Sequence, residues 1–69
     1  MNSAKLKTAL VESNFSQRKL AKSIEMSVNT LNAKINGKSP ITIDEAVILG
    51  KKLNLSKERF DEIFLEKSS

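Results

Sequence analysis

Four times in this chain an apolar residue stands directly before a serine or threonine, and a second apolar residue follows that hydroxyl four positions on. The instances are Phe15-Ser16 with Leu20, Met26-Ser27 with Leu31, Ile41-Thr42 with Ala46, and Leu55-Ser56 with Phe60. The pattern is a helix start. The hydroxyl accepts a bond from a backbone N–H of the first turn that has no partner within the helix, and the apolar pair staples the incoming chain across the cap. Thr42-Ile43-Asp44-Glu45 adds a carboxylate that can reach back to the cap, completing a capping box. Four such starts within 69 residues leave room for little but short helices.

The stops agree with the starts. Asn14 and Asn54 suit the left-handed position that ends a helix, Asn36-Gly37 offers a glycine for the same purpose, and Pro40 disfavours helix at Ser39. With an earlier helix begun near Ser3, the reading is all-α. It has five short helices over residues 3–13, 17–24, 28–35, 43–53 and 57–65, in one domain spanning 1–69. The expected core is Leu6, Leu10, Phe15, Leu20, Ala21, Ile24, Met26, Leu31, Ile35, Ile43, Ala46, Val47, Leu53, Leu55 and Phe60. Each large aliphatic side chain buried gives about 1.5–3 kcal/mol, enough for a small helical domain with little to spare.

Composition then removes whole classes of function. The chain has no Cys and no His, which excludes a disulfide framework, thiolate or imidazole metal sites, and Ser-His-Asp or Cys-His catalysis. The carboxylates Asp44/Glu45 and Glu58/Asp61/Glu62 gather near helix starts, where the helix dipole accounts for them. No phosphate-cradling glycine loop is present. The expectation is a non-enzyme with no cofactor and no metal. Lacking a long apolar run, the chain is expected to be soluble and cytoplasmic, with no membrane partner. Its net charge of +4 is unevenly spread: residues 1–40 carry seven basic and two acidic groups, residues 41–69 five basic and six acidic. A polyanion-binding surface therefore belongs to the first 40 residues.

Within them, residues 16–37 place two short helices around a tight turn at Ile24–Ser27. Ala21 sits where the first helix faces the second, and Leu20, Ile24, Leu31 and Ile35 supply the packing. This is the plan of a helix-turn-helix, whose second helix enters the DNA major groove. With Leu31 and Ile35 inward, Asn29, Ala33 and Asn36 lie opposite, flanked by Asn32 and Thr30. Asparagine can pair bidentately with adenine, and small apolar groups can meet a thymine methyl. Asn29 and Asn32 are therefore the candidate base readers, with Val28 and Ala33 as candidate methyl contacts.

The residues Ser16-Gln17, Leu20-Ala21, Met26-Ser27, Thr30-Leu31 and Ile35-Asn36-Gly37-Lys38 resemble the Cro/lambda-repressor-like, or XRE-type, helix-turn-helix family. The stretch Thr30–Lys38 is most similar to small Cro-like regulators of Gram-positive phages. The resemblance implies a phosphate contact for Gln17 at the start of the second helix, and places Lys38 and Asn36 beside the DNA backbone. Ser27, Thr30 and Arg18 join them as phosphate candidates, with Lys19 and Lys22 adding charge. The chain departs from the family in two places. Glu25 stands where the turn usually has Gly, at a cost of about 1 kcal/mol if φ is positive. Lys34 stands where Ile or Trp is usual, and Ile35 is expected to take over the apolar contact.

The C-terminal part is more apolar than one short helix needs. Phe60, Ile63 and Phe64 can close the core, while Phe64, Leu65 and, on the fourth helix, Ile48 are candidates for a protein interface. The resemblance implies a sequence-specific regulator that binds double-stranded DNA, a homodimer at least on DNA. In a phage-like setting it would act by occupying an operator in a lysis–lysogeny switch of an infected bacterial cell. The alternative on the same fold is an antirepressor that binds a repressor protein, with an antitoxin as a third variant.

Overall fold

A computed structural model of the chain describes residues 1–65, all helices and turns. The helices are α1 (Ser3–Glu12), α2 (Gln17–Ser23), α3 (Val28–Ile35), α4 (Ile43–Lys52) and α5 (Lys57–Phe60). α5 runs on into a π-helical turn, Asp61–Leu65, so the expected fifth helix is present but widens after its first turn. The all-helical architecture is the one the caps demand. Ser16, Ser27, Thr42 and Ser56 each accept a bond from the backbone N–H three residues on, at 3.1, 3.1, 3.1 and 3.2 Å. The Thr42 N–H also donates to Glu45 Oε1 at 3.0 Å, completing the capping box.

The helix ends share one device. Asn14, Glu25, Gly37 and Asn54 all have positive φ, from 55° to 77°, one residue past a C-cap. After α2, α3 and α4 the free carbonyls are closed by the same pair of bonds. After α2 these are Glu25 N–H to Lys22 O and Met26 N–H to Ala21 O, at 3.2 and 2.9 Å. After α1 the Ser13 hydroxyl relays the second bond, donating to Leu10 O at 2.7 Å and accepting from Phe15 N–H at 3.3 Å. Phe15, Met26 and Leu55 thus end one helix and staple the next, which is why these links are so short. Glu25 adopts φ of 57° without the freedom of glycine, a local strain of about 1 kcal/mol.

Leu6, Ala9, Leu10, Leu20, Ala21, Leu31, Ile35, Leu49, Leu53 and Ile63 form the buried cluster. Phe15, Ile24, Met26 and Leu55 pack against it from partly exposed positions. Phe60 is also only partly buried. Two expected core residues lie outside: Ile43 is 82% exposed and Val47 41%. Their place on α4 explains this. The buried stripe there is Ala46, Leu49, Gly50 and Leu53, and at about 100° per residue Val47 falls on the flank of that stripe. Ile43 opens the helix and projects past the packed region. Leu49, next to the interface candidate Ile48, is core, only 2% exposed.

The two ends of the fold are tied together. The Asn2 N–H donates to Ile63 O at 2.6 Å, using a carbonyl of the last turn. Lys5 pairs with Glu62 at 3.3 Å, and Arg59 with Glu12 at 2.8 Å. Both ion pairs are exposed and each is worth at most about 1 kcal/mol. Their larger effect is on the charge pattern: they occupy cations and anions from both halves of the chain.

Candidate nucleic-acid interface

α2 and α3 pack through Leu20, Ala21 and Leu31, each at most 1% exposed. Ala21 matters because any larger side chain there would force the helices apart. On α3, Leu31 and Ile35 are buried, and Val28, Asn29, Thr30 and Asn32 are exposed. Ala33 and Asn36 are partly buried. One face of α3 therefore carries the candidate base readers Asn29 and Asn32, with Val28 at one edge and Ala33 at the other.

The phosphate candidates separate by hydrogen bonding. The Ser27 hydroxyl accepts from Thr30 N–H and donates to Thr30 Oγ1, at 3.1 and 2.8 Å. Its proton is already spent, while that of Thr30 remains free to donate outward. Gln17 is partly buried at the first position of α2, and Lys38 is exposed just beyond α3, its backbone N–H closing onto Ala33 O at 2.9 Å. Asn36 is engaged within α3: its Nδ2 donates to both the backbone and side-chain oxygens of Asn32, each at 2.8 Å. The i, i+4 spacing of two amides on one helix was the available signal for this pair.

Lys34 answers the question raised by its unusual place. Its ammonium donates to Pro40 O at 2.8 Å and pairs with Glu45 Oε1 at 2.9 Å, from a side chain only 13% exposed. The stem lies along the apolar interface and the charge reaches α4, while Ile35, 1% exposed, takes the apolar contact. The C-terminal end of α3 is thereby tied to the capping box that starts α4. The bond from the Thr42 backbone, then that from Lys34, hold the Glu45 carboxyl below its ordinary pKa, with burial opposing them. A carboxyl so lowered stabilises the fold above its unfolded pKa and loses that contribution as pH falls through the folded value. Glu45→Gln keeps an oxygen for both donors but removes the charge. We expect urea unfolding to show wild type more stable than this variant by about 1 kcal/mol at pH 7. The gap should close as pH drops below about 4.5; a gap of constant size down to pH 3 would show that the charge contributes nothing.

The remaining cations now stand out. Within residues 1–40, all of them described, Lys5 and Lys34 are paired internally, whereas Lys7, Arg18, Lys19, Lys22 and Lys38 make no ion pair. All but Lys7 lie on α2 or next to α3. In residues 1–40 Glu25 is the one unpaired anion, since Glu12 is held by Arg59. Among the described residues Lys51, Lys52 and Lys57 on α4 and α5 are also unpaired, but the unpaired Asp44, Glu58 and Asp61 offset them, so the net positive charge is concentrated where the helix-turn-helix lies.

A short helix pair around a tight turn, the second helix presenting an exposed amide face, has the plan of a helix-turn-helix. A family model described as helix-turn-helix matches residues 6–60, taking in α2, the turn, α3 and α4 entire. The chain belongs to the Cro/lambda-repressor-like helix-turn-helix family, a family of DNA-binding transcription regulators. No curated protein and no solved structure matches it. Among the described residues no helix is long and apolar enough to cross a membrane.

The interface candidates are less united. Phe64 is partly buried on the core with its ring 4.8 Å from that of Phe60. Leu65, 54% exposed, lines a groove of about 420 Å³ with Ile43, Phe60 and Phe64. Ile48, 43% exposed, lies about 160° around α4 from Gly50 and so faces away from the core and the groove. Ile43 and Val47, missed as surface, extend the apolar strip that Ile48 does not join.

Proposed function

We propose that this protein is a Cro-like regulator of phage type that occupies an operator as a homodimer and blocks transcription from it. Asn29 and Asn32 read bases, and Val28 and Ala33 meet thymine methyls. Gln17, Thr30, Lys38 and Arg18 hold phosphates, and Ser27 shapes the start of the reading helix. The observation that carries this is the outward amide face of α3 set among unpaired cations. Phosphate contacts would supply salt-dependent affinity and the amides sequence preference. The apolar strip of Ile43, Val47, Phe64 and Leu65 would be the face between copies.

The test is selection from randomised duplex DNA at two salt concentrations, followed by Asn29→Ala/Asn32→Ala. We expect a two-fold symmetric motif with half-sites about 34 Å apart. The double variant should keep its helicity and lose about 1–3 kcal/mol of discrimination per bidentate pair removed. A single unrepeated half-site would overturn the homodimer. If no motif is enriched and binding vanishes at moderate salt, the operator reading fails, and capture of a repressor protein by the apolar strip becomes the better account.

A further inference from the structure

We propose that Asn36 is a positioning residue for Asn32, holding its amide in the orientation that reads adenine; the inference rests on Asn32 as a base contact. The hydrogen bonds decide the orientation. The backbone oxygen of Asn32 can only accept, so the Asn36 atom 2.8 Å from it is the amide nitrogen. That same nitrogen lies 2.8 Å from the Asn32 side chain, so the atom it meets there is the Asn32 oxygen. Rotating either amide by 180° would set two donors or two acceptors against each other. Among the described residues no group bonds the Asn32 Nδ2, which is turned away from Asn36.

Because the Asn36 nitrogen reaches the backbone and side-chain oxygens of one residue together, it approaches Asn32 from the backbone side. It takes the lone pair nearer Cβ and leaves the far edge of the amide open, with one oxygen lone pair beside an N–H. That edge complements the N6–H donor and N7 acceptor of adenine in the major groove. An asparagine free to rotate presents either end with equal ease. This one has its choice made before DNA arrives, so less conformational freedom is lost on binding. Asn36 thus acts through Asn32, in place of the phosphate contact that the family resemblance implies for it.

The experiment measures affinity for the selected duplex and for its single-base-pair variants, using wild type, Asn32→Ala, Asn36→Ala and the double variant, with circular dichroism to verify helicity. Asn32→Ala should cut the preference for A·T at one position by about 5- to 150-fold. Asn36→Ala should relax that same position by about fivefold, the worth of one ordering hydrogen bond, and the double variant should lose no more than Asn32→Ala alone. If Asn36→Ala weakens every sequence equally, or changes nothing, the positioning role is overturned while Asn32 as a reader stands. If Asn32→Ala relaxes no position, the base-reading assignment falls and this inference with it.

Discussion

Leu31→Ala should lower the thermal midpoint by about 10 °C or more and leave DNA binding intact only in the fraction still folded. Leu31 has no exposed surface. It is the second half of the staple begun by Met26 across the Ser27 cap, and it packs α3 against the rest of the buried cluster. Truncating such a leucine removes its transfer energy and leaves a cavity, about 2–5 kcal/mol together. A domain of this length holds only about 5–10 kcal/mol in all, and each kcal/mol moves the midpoint by about 4–8 °C at this size. The readout is calorimetry or circular dichroism melting, paired with DNA affinity measured well below the new midpoint. A shift under about 3 °C would mean that neighbouring side chains close the cavity, and that α3 is not held chiefly by this residue.

The same residue shows why so much of the fold was legible. Caps, staples and left-handed stops are local: each is written within about six consecutive residues, and this chain repeats them until almost no freedom is left. The helix bounds accordingly agree to within about one residue at α1 to α4. What was not legible is what depends on partners distant in sequence. Ile43 and Val47 have the apolar character of core, and only the packing of Ala46, Leu49, Gly50 and Leu53 as the buried stripe of α4 leaves them outside. Lys34 looked like a misplaced charge until Glu45 and Pro40 came beside it. The outward set on α3 followed from Leu31 and Ile35 by rotation alone, so the candidate readers could be named in advance. The i, i+4 spacing of Asn32 and Asn36 allowed their engagement, but which atoms meet needed side-chain positions. The π-helical turn after Phe60 carries no local mark in the sequence.

Gly50 is the residue whose importance was hidden longest, and substitution there should produce the second large effect. It lies in the last turn of α4, where alanine would ordinarily gain about 1 kcal/mol of helix propensity. Here a Cβ would stand 2.9 Å from Phe60 Cδ2 and 3.2 Å from Cε2. Those are ring atoms, not the end of a flexible chain, and moving the ring aside would disturb its packing against Phe64 at 4.8 Å. The overlap costs about 1–3 kcal/mol, outweighing the propensity gain. Gly50→Ala should therefore destabilise by about 1 kcal/mol, and Gly50→Val, with two further methyl groups and a poorer helix former, by about 3 kcal/mol or more. Urea unfolding of both variants measures this, and Phe60→Leu made in each background identifies the cause, because a slimmer, more flexible side chain should recover a good part of the loss. If Gly50→Ala instead raises the unfolding midpoint, the glycine is an ordinary weak spot in a helix and the Phe60 ring does not rest on it. A loss that Phe60→Leu leaves untouched would place the overlap elsewhere, and the close approach of α4 to the end of α5 would no longer explain why a glycine is buried there.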